Sequence, residues 1–306
     1  MLGLGYAIPA LALRGSARRA RLFDFTGPAL PAGTMLQRDS AGWSFDATGD
    51  LIAAAADVPR FAHDPVTLAP RGLLLEAAGS NLMTNAAAST ATWTLDSADA
   101  SNLALAALGL FGGVQIISTG QSWGRLRANA PMSSGLGYAI TVLFRAASSP
   151  EARLTLSIYN VGESHFGGPI GAMAQTRGDI GNFGAAQQVL LADGVTRMLR
   201  VQFTPSTGGS ISLGLGPASS VAGQAVVLLA MQVEQGAAAS SFIVSQGGAL
   251  VRAAEQLQIG ALQGPHDLHV TWASGAEQVL AAQQMHAGYV LAAAEPGVLR
   301  IRAQPV

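Results

Sequence analysis

The sequence predicts an all-β protein built around a β-sandwich, and two observations carry this prediction. Between about residues 121 and 243, apolar and polar residues alternate with the two-residue period of half-buried strands. The clearest run places Tyr138, Ile140, Val142 and Phe144 on one parity. Clusters of Gly, Ser, Pro and Asp separate the runs, and such regular turns between short strands are typical of a sandwich rather than of βαβ units.

The other runs of this region repeat the alternation and predict the rest of the sandwich core. The residues that share one parity are Leu154, Leu156 and Ile158; Leu199, Val201 and Phe203; Ile211, Leu213 and Leu215; and Val227, Leu229, Met231 and Val233. Trp93, near the start of the sandwich, is also predicted in the core, since large aromatic rings are mostly buried.

Composition narrows the class of protein further. Only 11% of the 306 residues are charged, all basic residues are arginine, and the net charge is -1. A surface rich in small residues is easily buried against another subunit, so we expect a homo-oligomer. The charge gives no electrostatic case for nucleic acid. The absence of cysteine excludes disulfides and thiolate metal sites.

The N-terminal segment, residues 1–22, is apolar first and arginine-rich afterwards. A signal peptide has the opposite order, and the apolar run is too short to cross a bilayer, so we expect no membrane insertion. Two interpretations stay open: a disordered terminus, or an attachment arm that becomes ordered on a protein partner. The arm residues would be Leu2, Leu4, Tyr6, Ile8, Arg18 and Arg19.

Two further segments flank the sandwich, which spans residues 86–245. Residues 23–85 contain prolines that disfavour a helix and predict an extended strap, fixed by pairing among Arg60, Arg71 and Glu76. Leu73, Leu74 and Leu75 need burial, which we expect along the sandwich. Residues 246–306 predict a small C-terminal β-unit, either a second domain or extra strands on the first.

Several motifs follow one another in a fixed order: Val58-Pro59-Arg60-Phe61, Asp64-Pro65, Arg71-Gly72-Leu73-Leu74-Leu75-Glu76, Asn81-Leu82, Gln232-Val233-Glu234-Gln235-Gly236, Ser241-Phe242-Ile243 and Val251-Arg252-Ala253-Ala254. In this order they resemble a segment of tailed-phage fibre and head-spike proteins, and the alanine-rich, lysine-free composition resembles the head spikes of gene transfer agents. The resemblance implies a carbohydrate-binding-module-like jelly roll, located on a virion, attached to other virion proteins, and binding host polysaccharide. Such jelly rolls often hold a structural calcium, for which Glu234 and Asp96 are the conceivable ligands, but the spacing shows no EF-hand pattern and we expect no cofactor.

Candidate carbohydrate-binding residues lie on two predicted strands, one with Trp123 and one with Tyr159, and in one long interruption between strands. Trp123, Arg125 and Arg127 share a face opposite Leu126, and an aromatic ring with guanidinium donors suits sugar binding. The interruption, residues 160–186, is long enough to be functional. The full set is Trp123, Arg125, Arg127, Tyr159, Asn160, His165, Phe166, Arg177, Asp179, Asn182 and Phe183. The alternatives are a buried Trp123 with structural ion pairs, and a loop that packs subunits.

The sequence contains no recognisable catalytic motif. No G-x-S-x-G elbow, Walker A loop or dinucleotide-binding glycine motif stands at a strand–helix junction, and no histidine pair has metal-ligand spacing. Acids are sparse, and no cluster suggests the carboxylate pair of a glycosidase. The absence of these motifs favours a non-catalytic protein, and the resemblance implies a virion spike or fibre subunit that binds host polysaccharide. A purely structural virion protein is the alternative, and an enzyme acting on polysaccharide is the least favoured.

Overall fold

The computed structural model describes residues 19–103, 112–245 and 250–306, and within these ranges the regular secondary structure is entirely β. The described residues contain no helix long and apolar enough to cross a membrane. Most of the predicted arm, including Leu2, Leu4, Tyr6, Ile8 and Arg18, lies outside the described residues, whereas Arg19 is exposed.

The strands fall into three consecutive groups along the chain. Those of the N-terminal segment are β1 (Arg21–Asp24), β2 (Thr34–Gln37), β3 (Gly42–Phe45), β4 (Leu51–Ala54), β5 (Phe61–His63), β6 (Pro70–Leu73) and β7 (Gly79–Asn81). Those of the sandwich are β8 (Thr94–Asp96), β9 (Ala98–Leu103), β10 (Gly113–Ser118), β11 (Arg125–Met132), β12 (Tyr138–Ala146), β13 (Glu151–Ile158), β14 (Gly162–Pro169), β15 (Ala174–Gly178), β16 (Gly181–Leu190), β17 (Thr196–Pro205), β18 (Gly209–Pro217) and β19 (Ala225–Gln235). Those of the C-terminal segment are β20 (Leu250–Arg252), β21 (Gln256–Ile259), β22 (Gly264–Trp272), β23 (Glu277–Met285), β24 (Tyr289–Val290) and β25 (Val298–Pro305).

The sandwich consists of two six-stranded antiparallel sheets. The open sheet has the order β15-β14-β13-β18-β11-β8, and the covered sheet has the order β16-β17-β12-β19-β10-β9. From β10 to β13 the chain crosses from one sheet to the other at every connection, as in a jelly roll. The core between the sheets contains Trp93, Phe144, Leu156, Phe203 and Leu213, so the predicted all-β jelly-roll sandwich is confirmed.

The central strands β12 and β19 of the covered sheet are buried on both faces, which the alternating pattern did not predict. In β12, Ile140 and Val142 face the sandwich core as predicted, but Leu143 on the opposite parity is also fully buried. Leu143 belongs to a separate cluster with Leu51 of β4 and Phe242, which follows β19. The segments that carry Leu51 and Phe242 lie outside the two six-stranded sheets and cover the middle of this sheet. The open sheet keeps its outward face exposed.

The predicted parity of β19 is wrong at one end. A register shift between Leu143 and Phe144 pairs Leu143 with Ala230 and Phe144 with Leu228. A bulge inserts one residue and reverses the alternation beyond it. Leu228 therefore lies in the sandwich core, whereas Leu229 joins the cluster on the opposite face.

The strap and the C-terminal segment contribute to one second unit, which we call the base. Strands β1 and β6 pair with β25, and β2 pairs with β21. Its hydrophobic core joins Phe23, Leu73 and Leu75 of the strap to Trp272 and Ile301 of the C-terminal segment. Leu73 and Leu75 are thus buried in the base and not along the sandwich, where we had expected them.

A buried ion-pair network links the base to the sandwich around Glu255. Its carboxylate accepts hydrogen bonds from Arg60 Nε (2.9 Å) and Nη2 (2.6 Å) and from Arg38 Nη1 (2.7 Å). Arg60 Nη2 also lies 2.7 Å from Glu76 Oε2, and Arg252 Nη1 lies 3.2 Å from the same oxygen. The predicted Arg60–Glu76 pair is therefore present.

Residues of the motifs that run from Val58 to Ala254 occupy this junction. Glu76 Oε1 accepts the backbone N–H of Ser241 at 2.7 Å, and Asn81 Nδ2 donates to the carbonyl oxygen of Ile243 at 3.0 Å. Arg71, the third predicted member of the strap pairing, instead binds Asp64 at 2.6 Å on the surface. Residues of these motifs therefore make polar contacts that join the base to the sandwich.

Candidate functional site

The outward face of the open sheet carries a cluster of charged side chains. Leu126, Leu154 and Leu156 point into the core, so their strand neighbours point outward. We call this face the groove, and the residues that line it are Asp96, Trp123, Arg125, Arg127, Arg153, Ser157, Tyr159, Glu163, His165 and Arg177.

Arg125 lies across the middle of the groove because the strand beside it has no side chain there. A Cβ atom added to Gly214 of β18 would lie 3.0 Å from Arg125 Cδ, tighter than ordinary contacts. The guanidinium passes over β18 and donates to Ser157 Oγ at 3.3 Å and to Glu163 Oε1 at 3.1 Å. Because Gly214 has no side chain, Arg125 can extend over β18 and reach Ser157 of β13 and Glu163 of β14.

Asp96 fixes the two arginines on the side of β11. Its Oδ2 accepts hydrogen bonds from Arg125 Nε at 3.4 Å and from Arg127 Nε at 2.5 Å. The register explains the contact, since β8 pairs with β11 and Asp96 lies directly opposite Arg125. Arg125 is thus held between two carboxylates on separate strands.

Glu163 organises the other side of the groove. His165 Nε2 lies 2.9 Å from Glu163 Oε2, and Arg177 Nη1 lies 3.7 Å from the same oxygen. Burial alone would raise the pKa of Glu163, but the hydrogen bond from His165 and the charge of Arg125 outweigh it and lower this pKa. Arg177 also pairs with Asp179, which keeps both side chains at the rim.

His165 is expected to titrate below the ordinary histidine value of about 6.5. Burial is the largest cause of its lowered pKa; Glu163 acts in the opposite direction, while the charges of Arg153 and Arg177 lower the pKa further. Nuclear magnetic resonance titration of the imidazole would measure this pKa, and Arg153→Gln should raise it by removing one repelling charge. A His165 pKa above about 6.5 in the unmodified protein would contradict this account.

Arg125 and its carboxylates divide the groove into two clefts. One, of about 600 Å³, is lined by Trp123, Arg153 and His165. The other, of about 620 Å³, is lined by Arg127, Ser157 and Tyr159. Both clefts share Asp96, Arg125 and Glu163. The groove is therefore a continuous charged surface with two recesses.

Each cleft has an aromatic ring that is open to solvent. Trp123, just before β11, is 52% exposed, and Tyr159, in the turn after β13, is 90% exposed. Asn160 follows in the same turn with a φ of 59°. The prediction that Trp123 lies on the outer face is confirmed, and the alternative of a core Trp123 is wrong. Tyr159 lies six positions after Arg153 in the chain, and six positions of extended strand span about 20 Å.

Four predicted binding residues line neither cleft: Phe166, Asp179, Asn182 and Phe183. Asn160 does line the cleft that contains Tyr159. Phe166 is 4% exposed and belongs to the sandwich core. Phe183 packs between Phe166 and Phe203, with ring centroids 5.3 and 5.0 Å away. Asn182 accepts a hydrogen bond from Gln175 at the edge of the sandwich.

The segment 160–186 is not the unstructured loop that the sequence predicted. It contains β14, β15 and the start of β16, and the last two are the edge strands of the open and covered sheets. All residues of β15 are exposed. An edge strand with little buried surface has no apolar alternation, so its sequence resembles a loop.

Arg153, like Ser157 and Glu163, is a groove residue that the predicted set did not contain. It lies within the predicted run that contains Leu154 and Leu156 and has the parity opposite to theirs. The same parity rule that placed Arg125 on the outer face therefore also applies to Arg153. Asp96 was considered only as a calcium ligand, and its pairing with two arginines depends on the register of β8.

The two suggested calcium ligands lie on different sheets. Asp96 in β8 binds Arg125 and Arg127, whereas Glu234 in β19 accepts hydrogen bonds from Ser240. Within residues 19–103, 112–245 and 250–306, no group of three or more His, Asp or Glu side chains is arranged to hold a metal ion.

Comparison with known proteins gives distant structural likenesses only, and two of them are described below. No family model and no curated protein matches the chain. The chain is similar to the CBM22-1 xylan-binding domain of Xyn10C from Paenibacillus barcinonensis, with 18% identity over 54% of this chain and 99% of that domain, at a TM-score of 0.36. It is also similar to the CBM22-1-CBM22-2 tandem domain of the same protein, with 13% identity over 76% of this chain and 92% of that chain, at a TM-score of 0.36. These values are too low to support an argument about function, and the fold assignment rests on the sheet order described above.

Proposed function

We propose that the protein is a non-catalytic glycan-binding protein and that an extended polysaccharide lies along the groove of the open sheet. The observation that carries the proposal is the combination of two exposed rings, Trp123 and Tyr159, with a row of fixed hydrogen-bonding groups between them. Aromatic rings provide a large apolar surface for the C–H face of a sugar, and charged groups form strong hydrogen bonds with hydroxyls.

The ion pairs support binding because they hold the polar groups in place before a ligand arrives. Arg125 contacts Asp96, Ser157 and Glu163, so its side chain has little freedom left to lose. A ligand that meets such a preorganised surface loses less conformational entropy on binding.

The charge state of the groove favours binding over glycoside hydrolysis. A glycosidase needs a carboxylic acid whose pKa is raised, so that it can protonate the leaving oxygen. The pKa of Glu163 is shifted in the opposite direction, and Asp96 is paired with two arginines. These two carboxylates suit structural and hydrogen-bonding roles.

The motifs that resemble phage fibre and head-spike proteins support a more specific role. They support a spike or fibre subunit on a phage-like particle, attached to other virion proteins through the arm at residues 1–22 and binding host-cell polysaccharide during adsorption. We also propose a homo-oligomer, based on the low charge content of 11%. Single sugar sites are weak, and several copies on one particle would increase avidity.

Trp123→Ala is expected to weaken glycan binding by about 1 kcal/mol per site, roughly a fivefold loss, because one stacked ring disappears. Multivalent adsorption to cells should fall by more, since every copy loses the contact. The measurement compares adsorption of the purified protein to host cells with and without their capsule. Val279→Ala, which changes an exposed apolar residue of the base, is the matched control.

Adsorption that is independent of the capsule would contradict glycan binding and favour the alternative of a purely structural virion protein. Capsule-dependent adsorption that is unaffected by both Trp123→Ala and Tyr159→Ala would contradict the assignment of the site to the groove.

A further inference from the structure

Arg153 differs from the other arginines of the groove. Its Nη2 donates to the carbonyl oxygen of Ser122 at 2.6 Å, and this is its one side-chain hydrogen bond to the described part of the chain. Among the described residues no carboxylate lies within ion-pair distance of Arg153. Its stem packs closely on β14, since a Cβ atom added to Gly167 would lie 3.0 Å from Arg153 Cγ. The side chain is therefore positioned without a counter-ion.

The remaining charges of the groove balance one another. The pairs are Arg125 with Asp96 and Glu163, Arg127 with Asp96, and Arg177 with Glu163 and Asp179. Three arginines thus share three carboxylates, and the fourth arginine, Arg153, contributes an uncompensated positive charge. This charge belongs to the cleft that contains Trp123, while the cleft that contains Tyr159 has no such surplus.

The surroundings of Arg153 would favour an anion. Burial is the main cause that lowers the pKa of its guanidinium, the charge of Glu163 opposes this, and the charge of Arg125 lowers the pKa further. A partly buried cation loses hydration, and an added anion would restore part of that energy. The planar guanidinium also matches a carboxylate with two parallel hydrogen bonds.

We infer that the cleft between Trp123 and Arg153 binds an acidic sugar, whose carboxylate pairs with Arg153 while Trp123 contacts the apolar face of the ring. The inference rests on the proposed function, because it assigns a ligand class to the same groove. The cleft beside Tyr159 would then take a neutral sugar, and the preferred polymer would contain both acidic and neutral residues.

Matched polysaccharides test this inference. Gellan and hyaluronan, which contain both acidic and neutral sugars, are each compared with their carboxyl-reduced forms, which keep the chain linkages but lose the charge. Binding to the full chain is measured by titration calorimetry at several salt concentrations. We expect the acidic forms to bind roughly tenfold more tightly than the reduced forms, as for a charge-assisted hydrogen bond.

Variants assign the preference to one side chain. Arg153→Gln should reduce binding of the acidic forms to the level of the reduced forms and leave the reduced forms unaffected. Arg153→Lys, which keeps the charge, should retain part of the preference. Arg300→Gln removes the same charge from an exposed site on the base and should behave like the unmodified protein. Thermal melting checks that each variant is folded.

The outcomes separate the two proposals. Equal binding of acidic and reduced forms would overturn the acidic-sugar inference and leave glycan binding in place. If folded Arg153→Gln still binds the acidic forms more tightly than the reduced forms, the assignment of the preference to Arg153 is overturned. Binding of neither form of either polymer would overturn the acidic-sugar inference, and the capsule-dependent adsorption of the protein to cells would decide the proposed function separately.

Discussion

Replacing Glu255 by alanine is expected to lower the free energy of unfolding by about 3–5 kcal/mol, because it leaves the buried Arg38 without a carboxylate and the buried Arg60 with Glu76 alone. The Glu255 side chain is fully buried and receives hydrogen bonds from Arg38, from Arg60 and from the backbone N–H of Glu76. Both guanidinium groups are themselves fully buried. Without the carboxylate, two cations would remain in a site from which water is excluded.

Chemical denaturation followed by tryptophan fluorescence measures this loss. Arg300→Ala, which breaks the exposed pair with Asp24, is the control and should change the free energy of unfolding by less than about 1 kcal/mol. If Glu255→Ala does not fold, Glu255→Gln keeps one acceptor oxygen and should give an intermediate loss. A change for Glu255→Ala as small as that of Arg300→Ala would show that the network contributes little to the junction.

Phe166→Ala is expected to lower the free energy of unfolding by about 3–5 kcal/mol, because it creates a cavity in the sandwich core. The ring is 4% exposed and packs against Phe183, which in turn packs against Phe203. The sequence places Phe166 among the candidate carbohydrate-binding residues, and for such a residue the substitution would reduce glycan binding without loss of stability. The structure reverses that expectation, since any loss of binding should accompany loss of stability.

Tyr159→Ala is the matched aromatic control, since Tyr159 is 90% exposed at the rim of the groove. Its effect on stability should stay within about 0.5 kcal/mol, as for most surface substitutions. Thermal or chemical unfolding of both variants, together with binding to the same polysaccharide, measures the contrast. Unchanged stability in Phe166→Ala would mean that the ring is not part of the core.

The arrangement of the two units explains why the groove lies where it does. The base and its connections cover one sheet of the sandwich, with Leu51 and Phe242 packed against Leu143. The opposite sheet is left with a solvent-facing surface. Polar and charged residues on that surface need no burial, and they are therefore free to meet a ligand.

Much of the fold was determined by sequence pattern alone. The alternation that placed Ile140, Val142 and Phe144 in the core is a local property, because successive side chains of any strand point to opposite faces. The same rule placed Arg125 opposite Leu126 on the outer face. Trp93 was also predicted correctly as a core residue.

Only the tertiary structure decided which faces are open and which partners meet. The bulge opposite Phe144 reverses the parity of part of β19, and the edge strands β15 and β16 have too few buried residues to show a pattern. Arg60 and Glu255 are 195 residues apart in the chain, and Arg125 and Glu163 are 38 apart. Periodicity records the direction of a side chain within its own strand, whereas coverage of a face and pairing of charges depend on contacts between strands that are distant in sequence.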